Sequence, residues 1–134
     1  MSEENFFDVE IVTPERVFYR GKVSMVEFNT TEGEIGVYKK HIPTTVILEP
    51  GILTLHEETQ LKNAALHSGF AQILPDKVTI LAELVEWPAE IDEERALSAR
   101  TRAEERLNEK AEGLDVDRAN IALKKAICRL NVLK

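Results

Sequence analysis

The sequence has 134 residues and a net charge of −7, with 43% hydrophobic and 31% charged residues. This composition excludes a disordered chain, and no apolar run reaches the roughly 18 residues of a membrane span, so we expect no direct membrane insertion. The acids are unevenly placed: residues 1–90 hold 15 acids and 7 bases, whereas residues 91–134 hold 9 and 10. An acidic body argues against a nucleic-acid partner, because phosphate binding needs clustered basic residues.

The chain starts with MSEENFFDVEIV, which has acids where a signal peptide has bases, so we expect no export signal. One cysteine, Cys128, cannot form an internal disulfide. Its apolar helical context predicts a buried small residue in a reducing compartment, and the cytoplasm is the expected location.

Short strands separated by turns are predicted up to about residue 86. Phe7, Val9 and Ile11 alternate with acids, as in a strand with one buried face. A second strand is predicted at VTILAEL, where Val78, Ile80, Ala82 and Leu84 share one face. A turn is predicted at 49–51, where Gly51 would accept a positive φ. This spacing is typical of an antiparallel β-sandwich or barrel rather than of βαβ units.

Two helices are predicted after Pro88. The first has Asp92 as its N-cap and an alanine-rich stripe, and Gly113 suits its end; the stripe is Ala96, Ala99, Ala103, Leu107 and Ala111. The second is capped by Asp115 or Asp117, with a stripe of Ala119, Ala122 or Leu123, Ala126 and Leu130. The short link predicts an antiparallel hairpin. The residues therefore predict an α+β fold class: an antiparallel β-domain, sandwich or barrel, over residues 1–87, then a helical hairpin over 88–134.

Alanine on both stripes has an energetic consequence. At about 25 cal/mol per Å² of buried apolar surface, an alanine seam contributes much less than a leucine seam. We therefore expect a marginally stable hairpin that can open and dock again.

The sequence contains no pattern typical of an enzyme or a metal site. The three histidines, His41, His56 and His67, lack metal-ligand spacing, and one cysteine cannot form a thiolate zinc site. The stretches TEGEIG and HSGF match neither a phosphate loop nor a nucleophile elbow. We therefore expect no catalytic residues, no metal and no required cofactor.

Arginines on the first helix point to a different chemistry. Arg95 and Arg102 lie about 20° apart on the helical wheel and two turns apart along it, beside the alanine stripe. In an antiparallel hairpin they converge with Lys125 and Arg129, and guanidinium groups bind phosphates bidentately. Spacing alone favours the other interpretation, in which these cations form ordinary pairs on a solvated helix.

The order of several stretches resembles the epsilon subunit of bacterial F-type ATP synthases. These stretches are FNTTEGEIGVYKKHIPTTVILEPGIL, HSGFAQILPDKVTILAE, EIDEERA and ALKKAICRL. The resemblance implies a β-sandwich of about ten strands followed by the helical hairpin. It also implies a non-catalytic rotor subunit whose sandwich contacts the gamma subunit and the c-ring, and which couples ion transport to ATP synthesis. It also implies a peripheral place at the cytoplasmic face of the bacterial cell membrane.

The resemblance further implies a mobile hairpin. In related subunits the hairpin folds against the sandwich or extends into the catalytic alpha/beta head, where it inhibits ATP hydrolysis, and in some members ATP binds the folded form as an allosteric ligand. The matching positions here are Glu86, Ile91, Asp92, Arg95, Arg102, Lys125 and Arg129. Lys125 departs from the pattern, because ATP-binding members have arginine there and lysine lacks the bidentate fork.

Two alternatives from other classes follow from the residues alone. One is a small sandwich adaptor with a coiled-coil-like tail, unrelated to ATP synthase, which failure to bind a gamma subunit would favour. The other is an enzyme, which turnover by the isolated protein would support.

Overall fold

A computed structural model describes residues 5–109, 113 and 115–134. Within these residues ten strands precede two helices, as predicted. The strands are β1 (Phe7–Val12), β2 (Val17–Val23), β3 (Met25–Thr30), β4 (Gly33–Tyr38), β5 (Thr44–Leu48), β6 (Gly51–His56), β7 (Leu61–Leu66), β8 (Gly69–Ile73), β9 (Lys77–Ala82) and β10 (Val85–Glu86). The helices are α1 (Glu93–Glu109) and α2 (Val116–Val132), preceded by a short 3-10 helix, Pro88–Glu90.

The strands form two layers that share one core. The hydrogen-bonded order is β10-β7-β6-β3-β5-β8-β9-β1-β2, with β4 paired to β3. The layers meet where β3 and β5 share a single pair, Thr30 with Leu48. Pairing is antiparallel as predicted, except that β1 and β9 run parallel. This pair needs no crossover helix, because the intervening strands fill the connection.

The period-two patterns predict the core well. Phe7, Val9 and Ile11 are buried on β1, and Val78, Ile80 and Ala82 are buried on β9. The prediction for Leu84 is wrong: it is 37% exposed, and Val85 is buried in its place. The reason is that β9 ends at Ala82, where the chain bends towards the other layer, which shifts the alternation by one residue.

The turn at 49–51 also differs from its prediction. Gly51 is not among the residues with positive φ. Instead, glycine is required because a Cβ at this position would lie 2.3 Å from the Asn29 amide nitrogen. Packing, rather than backbone conformation, therefore explains the glycine.

The two helices form the predicted hairpin. Ala96 and Ala103 of α1 and Ala119 and Ala126 of α2 are buried. Two residues are predicted as alternatives in the α2 stripe, Ala122 and Leu123. Leu123 is partly buried and Ala122 is exposed, so Leu123 belongs to the stripe. Ala111 lies outside the described residues, and Gly113 has a φ of +82°. No helix in the described part of the chain is long and apolar enough to cross a membrane.

A second face of α2 packs on the sheet. Cys128 and Val132 are buried with Ala65 of β7, and Ile52, Ile91 and Leu133 border this cluster. The prediction that Cys128 is a buried small residue is confirmed, since it is 4% exposed. Burial raises the pKa of its thiol to about 11. This small apolar patch therefore docks the hairpin on the sheet, whereas the alanine seam joins α1 to α2.

The segment between sheet and hairpin is anchored to β2. The Trp87 ring stacks on Phe18 at a centroid distance of 4.4 Å. The Arg16 Nη2 atom donates to both carboxylate oxygens of Glu90, at 2.9 and 2.8 Å. Glu90 also accepts from the backbone N–H of Trp87 at 2.9 Å. We call Trp87–Glu90 the root of the hairpin.

Candidate functional site

A cavity of about 550 Å³ opens beside the root, between the first turns of α1 and the end of α2. Six of the seven predicted site residues line it: Glu86, Ile91, Asp92, Arg95, Arg102 and Arg129. Glu90, Glu94, Ala96, Ser98 and Ala99 complete the lining. Lys125, the seventh, is not among the lining residues. Three of the four predicted cations therefore meet at one site.

Asp92 fixes the geometry of α1 at this cavity. Its Oδ1 accepts a hydrogen bond from the Arg95 backbone N–H at 3.2 Å, so Asp92 is the N-cap, as predicted. Capping starts the helix at Glu93 and places Arg95 and Arg102 two turns apart on the cavity side. Neither guanidinium forms an ion pair with a residue that the structure describes, so both can receive an anion.

Glu86 connects the sheet to α2. Its Oε1 accepts from Arg129 Nε at 2.7 Å and lies 3.0 Å from His67 Nε2. A carboxylate only accepts, so this nitrogen of His67 carries a proton. One oxygen thus joins α2 to β10 and to the residue that follows β7.

His67 is wholly buried at 0% exposure. Burial is the main cause that lowers the pKa of its imidazole; the hydrogen bond to Glu86 opposes this shift, and the positive charges of Arg129 and Lys125 add to it. Its second nitrogen, Nδ1, has no hydrogen-bond partner among the described residues. His67 is therefore a neutral imidazole with its proton on Nε2.

The charge of the cavity is close to balanced. Its lining holds four carboxylates and three guanidiniums. Arg16 neutralises Glu90 and Arg129 neutralises Glu86, which leaves Arg95 and Arg102 opposite Asp92 and Glu94. A phosphate group would therefore be held by directed N–H donors rather than by a strong positive field.

Sequence reasoning missed Glu90, which lines the cavity, and His67, which lies outside the lining but bonds to Glu86. His67 interrupts an otherwise apolar run, AALHSGF, which is a signal for a buried polar group with a partner. Glu90 follows Trp87 by three residues, which is the spacing of a capping box. Pro88, between them, is typical of the first position of a helix. Among the residues that the structure describes, no three His, Cys, Asp or Glu side chains are placed to hold a metal ion.

Comparison with known proteins covers both parts of the chain. The family model of the ATP synthase Delta/Epsilon chain beta-sandwich domain matches residues 6–88, and that of the Delta/Epsilon chain long alpha-helix domain matches residues 89–134. Relatives include the ATP synthase epsilon chains of Bacillus velezensis and Halalkalibacterium halodurans. The first is 42% identical over 124 residues and the second 44% identical over 125, and each alignment covers 92% of this chain and 94% of the relative.

Two solved assemblies contain chains of similar fold. One is the Euglena gracilis mitochondrial ATP synthase, OSCP/F1/c-ring, with a TM-score of 0.85 and 23% identity, covering 97% of this chain and 82% of that one. The other is the central stalk/c-ring of the Tetrahymena thermophila enzyme, with a TM-score of 0.62 and 14% identity, covering 96% of each chain. From the two family models and the bacterial relatives, we conclude that the chain belongs to the ATP synthase delta/epsilon family, as an epsilon chain.

Proposed function

We propose that the chain is a non-catalytic subunit of the rotor, coupling rotation of the c-ring to ATP synthesis in the catalytic head. In this role the sandwich contacts the gamma subunit and the c-ring, and the subunit lies peripherally at the cytoplasmic face of the bacterial membrane as part of the ATP synthase complex. Supporting this, the neighbouring folds come from central stalk and c-ring assemblies.

An exposed apolar row on the sandwich supports the contact with gamma. Ile47, Phe70 and Leu81 are direct partners on β5, β8 and β9. They are 62%, 45% and 40% exposed, so they form one outward band. Contiguous apolar surface of this kind marks a protein interface.

The gamma contact can be tested by substitution on β8. We expect Phe70→Asp to weaken binding to a purified gamma subunit, because it places a charge in the apolar row. Gln72→Asp is the matched control, since Gln72 is exposed on the same strand and lies outside the row. Equal binding by both variants would refute this assignment.

We further propose that the hairpin regulates ATP hydrolysis, docked on the sheet in one state and extended to the alpha/beta head in the other. Two observations support this: the seam between the two helices consists of four buried alanines, and the hairpin docks on the sheet through a small apolar patch around Cys128. Such a surface contributes little free energy, so a ligand or partner can shift the balance.

ATP is the proposed ligand of the docked form. Arg95 and Arg102 would hold phosphate oxygens, while Asp92 and the second oxygen of Glu86 would accept from an amino or ribose hydroxyl group. Lys125 lies outside the cavity lining, so in this chain it would act on the nucleotide through its charge alone.

Calorimetric titration of ATP into the isolated chain tests this site. Saturable binding that Arg95→Ala abolishes, with ADP binding more weakly, is the expected result. Arg106→Ala is the matched control, because Arg106 lies on the same helix outside the cavity. Binding that survives Arg95→Ala, or no binding at millimolar ATP, would refute the nucleotide site and leave the rotor role untouched.

A further inference from the structure

His67 lies where the hairpin docks on the sheet. It directly follows β7, whose residue Ala65 packs against Cys128 of α2. Its Nε2 shares Glu86 Oε1 with Arg129 of α2. The end of α2 therefore covers the histidine, and undocking would uncover it.

The docked arrangement has no place for a second proton on His67. The first proton lies on Nε2, between the ring and Glu86. A second would go to Nδ1, which is buried and has no acceptor among the described residues. A buried donor without a partner is costly, so the docked form favours the neutral ring.

The charged groups around the ring have opposite effects on the protonation of His67. Glu86 of β10 favours the protonated ring, whereas Arg129 and Lys125 of α2 disfavour it. Cys128, the other titratable group at this contact, keeps a protonated, neutral thiol, because burial raises its pKa to about 11. Two of the groups that oppose protonation thus belong to the element that leaves on undocking.

We propose that docking of the hairpin is linked to the release of a proton from His67, so that acidification favours the undocked hairpin. This inference rests on the mobile hairpin of the proposed function. The sign follows from the contacts. Docking lowers the pKa of His67, so the docked form is favoured above the ordinary value of 6.5 and loses stability as the pH falls below it. A single proton limits the effect to about tenfold in the docking equilibrium per pH unit.

The native thiol of Cys128 provides the measurement. It is buried while α2 is docked, and the chain has no other cysteine, so its labelling rate reports undocking without an added probe. The rate would be measured between about pH 5 and pH 8, the range in which histidine changes charge. At each pH it is divided by the rate for the same chain unfolded in denaturant, which removes the pH dependence of the thiol itself.

His67→Gln is the informative variant. Its amide nitrogen can still donate to Glu86, but the side chain does not titrate. We expect the normalised labelling of the wild-type chain to rise as the pH falls, by up to about tenfold per unit, and that of His67→Gln to lose this rise. His41→Gln is the matched control, since His41 lies between β4 and β5 and its ring bonds to the Ile42 carbonyl rather than to Glu86, and it should behave as wild type.

Two outcomes separate this inference from the proposed function. Cys128 that is never labelled without global unfolding would refute the mobile hairpin and the proton linkage together. Labelling with the same pH slope in His67→Gln would refute the linkage alone. NMR titration of the imidazole in the unmodified chain needs no substitution, and protonation of His67 while Cys128 stays protected would also refute the linkage.

Discussion

Arg129 of α2 donates from Nε to Glu86 Oε1 over 2.7 Å, and this bond ties the end of the hairpin to the sheet. Both side chains are largely shielded from solvent, at 26% and 19% exposure. A charge-assisted bond in such a setting contributes more than a surface ion pair.

Arg129→Met should therefore weaken hairpin docking by about 1 to 3 kcal/mol. Hydrogen exchange of the α2 backbone amides follows this change, because a 17-residue helix that has left the sheet is only marginally stable and opens to exchange. Arg118→Met is the control, an exposed arginine on the same helix. Equal acceleration in both variants would show that the bond to Glu86 contributes nothing specific.

ATP should protect Cys128 from thiol reagents if it binds the docked hairpin. A ligand specific for the docked form stabilises it by about 2.7 kcal/mol at a hundredfold excess over Kd, so the labelling rate should fall about a hundredfold. Arg95→Ala should remove the protection without changing the rate in the absence of ATP. Protection that persists in this variant would contradict the assignment.

Asp92 has two roles that substitution can separate. Asp92→Ala removes the cap of α1 and should cost about 0.5 to 2 kcal/mol of helix stability. Asp92→Asn keeps a capping oxygen and should retain the helix, while losing the charge that faces the ligand. Circular dichroism follows the first effect and ATP calorimetry the second; similar helix loss in both variants would contradict the capping role.

The root of the hairpin should loosen in acid. Hydrogen bonding from Arg16 lowers the pKa of Glu90 below its ordinary 4.5, so the stability it contributes is present above that value and is lost as the pH falls. Trp87 is the only tryptophan in the sequence, and its fluorescence reports this contact. The Glu90→Gln variant should lose part of the change in Trp87 fluorescence that acid causes in the wild-type chain. Glu10 of β1 forms a similar pair with Arg20 of β2, so the control variant Glu10→Gln should keep the acid transition. Identical transitions in the two variants would argue against the Arg16 contact.

Gly51→Ala should destabilise the sandwich although its φ is ordinary. The added Cβ would overlap the Asn29 side chain, and overpacking of this kind costs about 1 to 3 kcal/mol. Chemical denaturation of Gly51→Ala, Asn29→Ala and the double variant gives the coupling free energy between the two positions. The double variant should recover part of the loss, because Asn29→Ala removes Nδ2 and Cγ but keeps a Cβ 2.9 Å from the added atom. Additive losses would exclude the contact as the cause.

Periodicity in the sequence predicted most of this fold. Alternation placed Phe7, Val9 and Ile11 in the core, and helical spacing placed Ala96 and Ala103 in the seam, because burial of one face imposes those periods. Asp115, one of two offered caps, accepts from the Arg118 N–H at 3.0 Å. The prediction failed at Leu84 and Gly51, where a bend and a distant side chain decide the outcome.

The candidate site was predictable in part for the same reason. The positions of Arg95 and Arg102 follow from α1 alone, and the antiparallel hairpin predicts Arg129 at the same end. The resemblance then includes Glu86 among the matching positions. His67 could not be assigned a role from sequence, since its partners come from β10 and α2. Lys125 lies one helical turn before Arg129 on the same face of α2, and only Arg129 is among the residues that line the cavity.

The anchored root also sets how far the hairpin can travel. Trp87 and Glu90 stay attached to β2 while α1, 17 residues and about 26 Å long, would swing from a pivot at Ile91 and Asp92. A short tether keeps α2 at a high effective concentration beside its own sheet. Its return is therefore unimolecular, with a rate independent of how many copies of the protein are present.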